Sequence, residues 1–151
     1  MDYGSILEER TSPAVLANAR EQYLRQCARG EPSAGSTFSY AHAMIGSKNK
    51  LDVKDGILCL EKLLRDDNDV SSKRNYVYYL GVAHARMKQY DTALGYIDIL
   101  LEIEEGNDQA KRLKETIKSA MTHDGLIGAA IFGGGALALA GLVAIFTMSR
   151  K

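Results

Sequence analysis

The side chains that could carry chemistry in this chain are few and widely spaced. His42, His84 and His123 stand far apart, and neither Cys27 nor Cys59 lies at a paired metal-ligand spacing from any of them. The chain has no nucleophile elbow, no Walker phosphate loop and no zinc-protease motif. We therefore predict that the protein is not an enzyme and that it holds neither a metal nor a cofactor.

An uncharged stretch near the end of the chain must instead determine where the protein resides. From Gly125 through Ser149 there is no charged residue, a run of 25. About 20 residues of helix cross a typical hydrocarbon core. The sequence therefore predicts a transmembrane tail anchor over residues 124–149, followed by a short basic tail, Arg150 and Lys151, which we expect to act in targeting.

Two further features of this tail indicate whether it could bind a nucleotide or form an oligomer. The three glycines at 133–135 are not followed by the Lys-Ser/Thr pair that reaches nucleotide phosphates, so a phosphate loop is not expected. Small residues recur four apart, for example Ala136 and Ala140, which allows close helix approach. A homo-oligomer formed through the tail is therefore an open alternative.

Length and composition predict that the rest of the chain forms one soluble domain, and the position of the tail span implies that this domain faces the cytosol. All 19 acidic residues and 17 of the 19 basic residues precede Gly125, which gives that part a net charge of −2 and argues against nucleic-acid binding. Two cysteines are too few for a disulfide framework and fit a reducing compartment. The N-terminus has neither a secretory signal nor an acid-poor presequence.

Hydrophobic periodicity predicts that residues 12–123 form an all-α domain without strands. Ser12 and Pro13 are typical of a helix start, and Gly30 followed by Pro32 is typical of a helix end. We predict a loop at 30–36, with polar turns at 47–50 and 66–72. The six antiparallel helices are expected to begin near residues 13, 37, 51, 73, 91 and 108.

Residues 1–11 are predicted to form an N-terminal arm. Ile6 and Leu7 are its only large aliphatic residues, too few to support an independent helix. Two interpretations stay open. The arm is either a frayed terminus or a regulatory segment that docks Ile6 and Leu7 into a groove of the domain.

A tetratricopeptide pattern occupies the fourth and fifth helices. A Leu-Gly pair ends at Gly81, Ala93 follows twelve residues later, and Ile97 follows four after that. The small Gly81 and Ala93 would let two helices cross closely. The second and third helices form a more degenerate copy, in which Gly56 and Leu60 match Ala93 and Ile97. Two repeats are fewer than a free-standing solenoid needs, so the first and sixth helices should act as caps.

Three stretches, taken together, resemble the mitochondrial fission 1 protein family. They are STFSYAHAMIGSK (36–48), RNYVYYLGVAHARMKQYDTALGYI (74–97) and NDQAKRLKETIKSAMTHDGLIGAAIFGG (107–134). The resemblance runs from about residue 12 to 151, and the arm and the loop at 30–36 match it less well. It supports an all-α six-helix bundle, with two tetratricopeptide-like helix pairs flanked by capping helices and a C-terminal transmembrane helix.

The resemblance implies a small adaptor anchored in the mitochondrial outer membrane, facing the cytosol, and often in peroxisomal membranes too. It implies that the adaptor recruits a dynamin-related GTPase, directly or through other adaptor proteins, to divide the organelle. The family's concave face is formed largely by the first helix of each repeat. The matching candidates for partner binding are Tyr40, Met44, Asn75, Tyr78, Tyr79, Val82 and Arg86, and ordinary packing is the alternative for each.

Two other functions remain as alternatives. One is a membrane-tethered co-chaperone that binds the C-terminal carboxylate of a partner. Only Asn75 and Arg86 are candidates for binding that carboxylate. The other is a protein that remodels membranes through its tail. In addition, Lys111, Arg112, Lys114 and Lys118 on the sixth helix either meet anionic headgroups, at about 1 kcal/mol each, or form a solvated face.

Overall fold

The computed structural model describes residues 5–125 of the chain, and this part is entirely helical between its turns. The helices are α1 (Ser5–Glu8), α2 (Pro13–Arg29), α3 (Ala34–Ile45), α4 (Lys50–Asp66), α5 (Val70–Arg86), α6 (Tyr90–Ile103) and α7 (Asp108–His123). From α2 onward each helix packs against the next, and α5 also contacts α1 and α7. The predicted all-α bundle is confirmed, with α1 as a single turn that the sequence did not indicate.

Polar caps set where the helices begin. The predicted caps at Ser12 and Asn107 are present, since their side chains accept hydrogen bonds from the backbone N–H groups of Val15 (3.2 Å) and Ala110 (2.9 Å). Such a bond satisfies one of the amides that a helix start leaves unpaired.

Two predicted starts were wrong by three residues. Helix α3 begins at Ala34 rather than near 37, and α5 begins at Val70 rather than near 73. Ser33 and Asp69 cap them by accepting from the N–H groups of Ser36 (3.1 Å) and Ser72 (3.0 Å). The predicted loop at 30–36 therefore shortens to 30–33, and the turn at 66–72 shortens to 67–69.

Small residues let the paired helices cross closely, as the repeat pattern predicts. A Cβ atom added at Gly81 of α5 would lie 2.6 Å from Ile97 Cδ1 of α6. A Cβ atom added at Gly56 of α4 would lie 2.6 Å from Ile45 Cγ2 of α3. Both distances are shorter than van der Waals contact, so each helix pair depends on its glycine.

The core runs between α3, α4, α5, α6 and α7. Its fully buried large side chains include Leu60, Val77, Leu80, Ile97, Leu113 and Ile117. Helix α2 contributes no buried residue and lies on α3 as an outer layer. It therefore covers one end of the helical array, as expected of a cap.

Most of the predicted tail, together with Arg150 and Lys151, lies outside the described residues. Between residues 5 and 125, no helix is both long enough and apolar enough to span a bilayer.

Candidate functional site

Aromatic rings from α3 and α5 line one side of the helical array. The Phe38 ring lies 5.6 Å from Tyr76 and 5.7 Å from Tyr79, measured between ring centroids. The ring of Tyr79 meets His42 edge-on at 4.8 Å and Tyr78 at 5.1 Å. Pairs with this geometry contribute about 0.5–1.5 kcal/mol beyond the area that they bury. We call these five residues the aromatic cluster.

Beside the aromatic cluster is a cavity of about 490 Å³, formed by the arm, α2, α3 and α5. The arm provides Ile6, and α2 provides Val15, which is 57% exposed. Helix α5 provides Tyr79, Val82 and Arg86. We call this the arm cavity. It is mainly apolar, and its volume is in the range of sites that bind part of a peptide or a small molecule.

The arm lies across this cavity. Ile6 and Leu7 are partly buried against the core, and α1 contacts α5. The backbone N–H of Thr11 donates to the Gly46 carbonyl over 2.9 Å. A Cβ atom added at Gly46 would lie 2.0 Å from Thr11 Oγ1. The arm is therefore docked against the domain, and its regulatory role stays a prediction.

Arg86 ties the end of α3 to α5. Its guanidinium donates to the carbonyl oxygens of Ile45 and, over 3.1 Å, of Ser47. These carbonyls lie at the C-terminal end of α3, where the helix leaves acceptors unpaired. Burial lowers the pKa of Arg86 to about 10, and the nearby charge of Arg10 adds to this shift. Both terminal nitrogens of Arg86 are thus engaged, which disfavours its use as a carboxylate clamp.

The seven predicted binding residues fall in three places. Tyr79, Val82 and Arg86 line the arm cavity. Asn75 and Tyr78 line a second, polar cavity of about 550 Å³, whose wall includes the ends of α6 and α7.

Tyr40 and Met44 line neither cavity. The ring of Tyr40 packs on Tyr23 of α2 at 4.9 Å between centroids, and its hydroxyl accepts from Arg20 Nε over 3.2 Å. Met44 is buried, with 2% of its surface exposed.

The face of α3 that lines the arm cavity carries Ser39, His42, Ala43 and Gly46. These residues share one helical face, at spacings of three, one and three, yet they are small or polar. A search of the sequence for apolar residues at helical spacing therefore does not identify them. The sequence signal that could have found them is this spacing next to the aromatic Phe38.

The aromatic cluster is uncharged near neutral pH. Burial raises the pKa of Tyr79 and of Tyr78, and the Glu9 carboxylate raises both further. Burial lowers the pKa of His42, and Glu9 opposes that shift. Glu9 of the arm thus brings a negative charge to a neutral aromatic surface, which suits an apolar or aromatic peptide better than an anion.

The residues that the structure describes include no group of three or more His, Cys, Asp or Glu side chains placed to hold a metal ion. His84 lies away from the arm cavity, with its ring stacked 5.4 Å from Tyr96 and Nδ1 2.7 Å from Gln89 Oε1. Its surroundings are those of a packed histidine between α5 and α6.

Two family models match the chain. The model described as the Fis1 N-terminal tetratricopeptide repeat matches residues 35–67, and the one described as the Fis1 C-terminal tetratricopeptide repeat matches residues 74–126. The two repeats deduced from residue spacing are therefore confirmed, including the degenerate first copy.

Curated relatives match over almost the whole chain. The FIS1-related protein fis-2 of Caenorhabditis elegans is 83% identical over 151 residues, which is 100% of both chains. The Mitochondrial fission 1 protein of Mus musculus is 39% identical over 145 residues, covering 96% of this chain and 95% of the mouse protein.

Solved structures of yeast Fis1 share the fold. One is yeast Fis1 in complex with an Mdv1 fragment containing N-terminal extension and coiled coil domains, with a TM-score of 0.70 and 26% identity, covering 80% of this chain and 92% of that one. The fission protein Fis1 from Saccharomyces cerevisiae has a TM-score of 0.70 and 25% identity, with the same coverage.

Proposed function

The chain belongs to the Fis1 family of mitochondrial fission proteins, and we propose that it is a membrane-anchored adaptor that recruits fission machinery to mitochondria. The partners in this proposal are fission adaptor proteins, a dynamin-related GTPase, or both. The crystal structure of yeast Fis1 in complex with a fragment of Mdv1 supports the proposal that the partner is an adaptor protein. The protein acts by binding and carries out no catalysis.

The observation that supports the proposal best is the arm cavity next to the aromatic cluster. Tyr79, Val82 and Arg86 offer an aromatic ring, an aliphatic surface and a fixed positive charge within one concavity. Aromatic and arginine side chains in partly enclosed sites tend to dominate the binding energy of protein interfaces. Asn75 and Tyr78 extend this surface toward the polar cavity. In this proposal Tyr40 and Met44 act through packing on the neighbouring helix rather than by touching the partner.

The arm has a regulatory role in this proposal. Ile6 forms part of the wall of the arm cavity and packs against the core, so a partner that uses the surface covered by Ile6 must first displace the arm. A bound partner and a docked arm are then alternative occupants of one site, and the apparent affinity depends on the fraction of molecules with the arm displaced.

The remaining predictions complete the proposal. Residues 1–11 form the arm, 12–123 the cytosolic domain, and 124–149 the membrane span, while Arg150 and Lys151 serve in targeting. The proposed location is the mitochondrial outer membrane, with the domain facing the cytosol, and peroxisomal membranes. Self-association through small residues of the tail stays part of this proposal.

Binding of the partner in the arm cavity can be tested with a matched pair of asparagine substitutions. Asn18 of α2 is exposed and lines the arm cavity, whereas Asn68 is exposed in the loop between α4 and α5 and lines none of the cavities described here. Tryptophan at position 18 should project its ring into the cavity, and we expect Asn18→Trp to reduce recruitment by at least about tenfold, equivalent to 1.4 kcal/mol. Asn68→Trp should have no effect.

The measurement is the amount of dynamin-related GTPase and fission adaptor that co-sediments with mitochondria from cells expressing each full-length variant. Circular dichroism and membrane flotation confirm that each variant folds and reaches the membrane. Equal recruitment by both tryptophan variants would place the partner site outside the arm cavity. A tail-only variant that restores fission by itself would contradict the adaptor function and favour membrane remodelling by the tail.

A further inference from the structure

Helices α2 and α4 run in the same direction through the domain. Each packs on α3, and the short loops at 30–33 and 46–49 make α3 antiparallel to both. An ion pair joins the two parallel helices, since Arg20 Nη2 of α2 lies 3.8 Å from Asp52 Oδ1 of α4. This pair sets the register between α2 and α4.

Two cysteines continue this register. Cys27 follows Arg20 by seven residues, and Cys59 follows Asp52 by seven residues. Seven residues are close to two turns of helix and advance about 10 Å along its axis. In two parallel helices, positions seven residues beyond a contacting pair therefore face each other again. Cys27 and Cys59 are thus placed at the same level on facing edges of α2 and α4.

The exposure of α2 supports this orientation. The side that packs on α3 holds the partly buried residues of the helix, Leu16, Ala19, Tyr23 and Gln26. A second side borders the arm cavity through Val15, Asn18 and Gln22. Helical spacing places Arg20 and Cys27 together on the opposite flank, and the ion pair with Asp52 shows that this flank is the one next to α4.

The hydroxyl of Tyr23 lies near both thiols. The Tyr23 ring packs on Tyr40 of α3, with 4.9 Å between the centroids, one helical turn before Cys27. Burial raises the pKa of Tyr23 most, and the thiols of Cys27 and Cys59 raise it further. One titrating group affects the pKa of another only at short range. Both sulfurs are therefore grouped around one side chain between α2 and α4.

The two cysteines differ in their access to solvent. Both are free thiols, and Cys27 is exposed whereas Cys59 is half-buried. Burial raises the pKa of Cys59, the Asp55 carboxylate adds to this shift, and Lys62 opposes it. Because the thiolate is the reactive form, Cys59 is protected in both respects. Cys27 is the thiol that a reagent from solution meets first.

We propose that Cys27 and Cys59 form a reversible disulfide that fastens α2 to α4 when the glutathione pool is oxidised. The Cys27 thiolate attacks one sulfur of glutathione disulfide, so that a mixed disulfide forms and one glutathione thiolate leaves. The Cys59 thiolate then attacks the Cys27 sulfur, which forms the internal S–S bond and releases the second glutathione thiolate. Each protein sulfur loses one electron and one proton, and glutathione disulfide gains both electrons and both protons to give two molecules of glutathione.

Helix α2 is suited to such a bond because it lies on the outside of the domain. A disulfide needs its two Cα atoms about 4.4–6.8 Å apart. Helix α2 contributes no buried residue, so it can move toward α4 without emptying the core. Its opposite flank forms a wall of the arm cavity, and the disulfide therefore holds that wall in place.

The test uses the full-length protein in detergent micelles, equilibrated without oxygen in buffers of fixed reduced glutathione and increasing glutathione disulfide. Free thiols are blocked with N-ethylmaleimide, and mass spectrometry of the intact protein and its tryptic peptides counts the thiols and locates the bonds. We expect both thiols to disappear together, without added glutathione, as the peptides that contain Cys27 and Cys59 become joined within one molecule.

A displaced cysteine provides the matched control. Cys59→Ala combined with Leu58→Cys keeps two thiols but moves one of them to a neighbouring side chain that is 61% exposed. One residue turns a side chain by about 100° around the helix, so the new thiol faces away from α2. We expect half-oxidation of the native pair at a glutathione disulfide concentration at least about tenfold lower than that of the displaced pair, because its effective concentration is higher. Circular dichroism checks that the displaced variant folds.

Amide hydrogen exchange measures whether the bond fastens α2. Amides of residues 16–28 should exchange at least about fivefold more slowly in the oxidised protein than in the reduced protein, because α2 then opens less often. Glutathione disulfide should leave exchange over the same residues unchanged in Cys27→Ser, which cannot form the bond.

The alternative outcomes would each overturn the proposal. Glutathione adducts alone, or disulfides between two molecules, would show that the two thiols do not face each other. Equal oxidation of the native and displaced pairs would mean that the register between α2 and α4 gives no advantage. An internal disulfide that leaves the exchange of α2 unchanged would refute the fastening of this helix.

Discussion

Replacing Gly46 with alanine should release the arm without weakening the domain. Gly46 is the C-cap of α3, with φ of −84° and ψ of −5°, a conformation that alanine adopts without strain. Its new Cβ atom would lie 2.0 Å from Thr11 Oγ1 and 3.1 Å from Thr11 N. The Thr11 side chain must therefore rotate and its backbone must shift, and we expect the hydrogen bond from Thr11 to Gly46 to be lost.

The two effects of this substitution have opposite signs. Loss of the backbone hydrogen bond removes about 1 kcal/mol from arm docking, which shifts the docked-to-released ratio at least about fivefold. Replacing glycine by alanine at a compatible position stabilises the domain by about 0.4–1 kcal/mol through the unfolded state. We therefore expect an unchanged or higher melting temperature together with a more accessible arm.

Amide hydrogen exchange over residues 5–11 and the rate of tryptic cleavage after Arg10 measure the arm directly. Gly35→Ala is the control, because Gly35 lies at the opposite end of α3 from the Gly46 cap and its Cβ atom would meet nothing within 4 Å. Thr11→Ala combined with Gly46→Ala removes the closest clash, and it should restore part of the protection. Unchanged exchange and cleavage in Gly46→Ala would refute the packing of the arm against α3.

Two further predictions concern stability. Gly81→Ala places a Cβ atom 2.6 Å from Ile97 Cδ1, so overpacking should lower the free energy of unfolding in urea by about 1–3 kcal/mol. Gly106→Ala is the control, because its Cβ atom meets nothing within 4 Å and should not lower that free energy. Equal urea midpoints of unfolding for the two variants would contradict the close helix crossing. Burial and the hydrogen bond to Asp124 raise the pKa of Tyr90 to about 12, above its unfolded value of about 10, so the stability from Tyr90 is complete below pH 10 and is lost as pH rises toward 12. Tyr90→Phe should therefore flatten the alkaline decline in melting temperature, and an unchanged profile would show that Tyr90 does not contribute to it.

Local residue patterns were enough to identify the helices and their pairing. Caps such as Ser12 and Asn107 appear in the sequence as polar residues before a periodic apolar run, and the structure places their hydrogen bonds as expected. Gly81 identified a close helix crossing because only a small residue suits such a position. The starts of α3 and α5 were set too late because Ser33 and Asp69 stand in polar stretches that resemble loops until the cap is seen.

Less of the candidate site than of the fold could be predicted from the sequence. Helical spacing places Tyr40 and Met44 on one stripe of α3, but it does not say which neighbouring helix that stripe faces. The packing of α2 decides this, since Tyr23 contacts Tyr40 and leaves the face with His42 toward the arm. Likewise, an arginine at position 86 suggested a side chain that binds a partner in a groove. In the structure Arg86 instead donates hydrogen bonds to carbonyl oxygens at the end of α3.

The sequence by itself determined the helical class, the two repeats, the uncharged tail and the family, because periodicity, small residues and charge are local properties of the chain. Only the tertiary structure decided how the arm lies, which face of α3 borders the cavity, and which groups Arg86 contacts. Those properties depend on distances between residues far apart in sequence, such as Thr11 and Gly46 or Tyr90 and Asp124, and such distances are set when the helices pack.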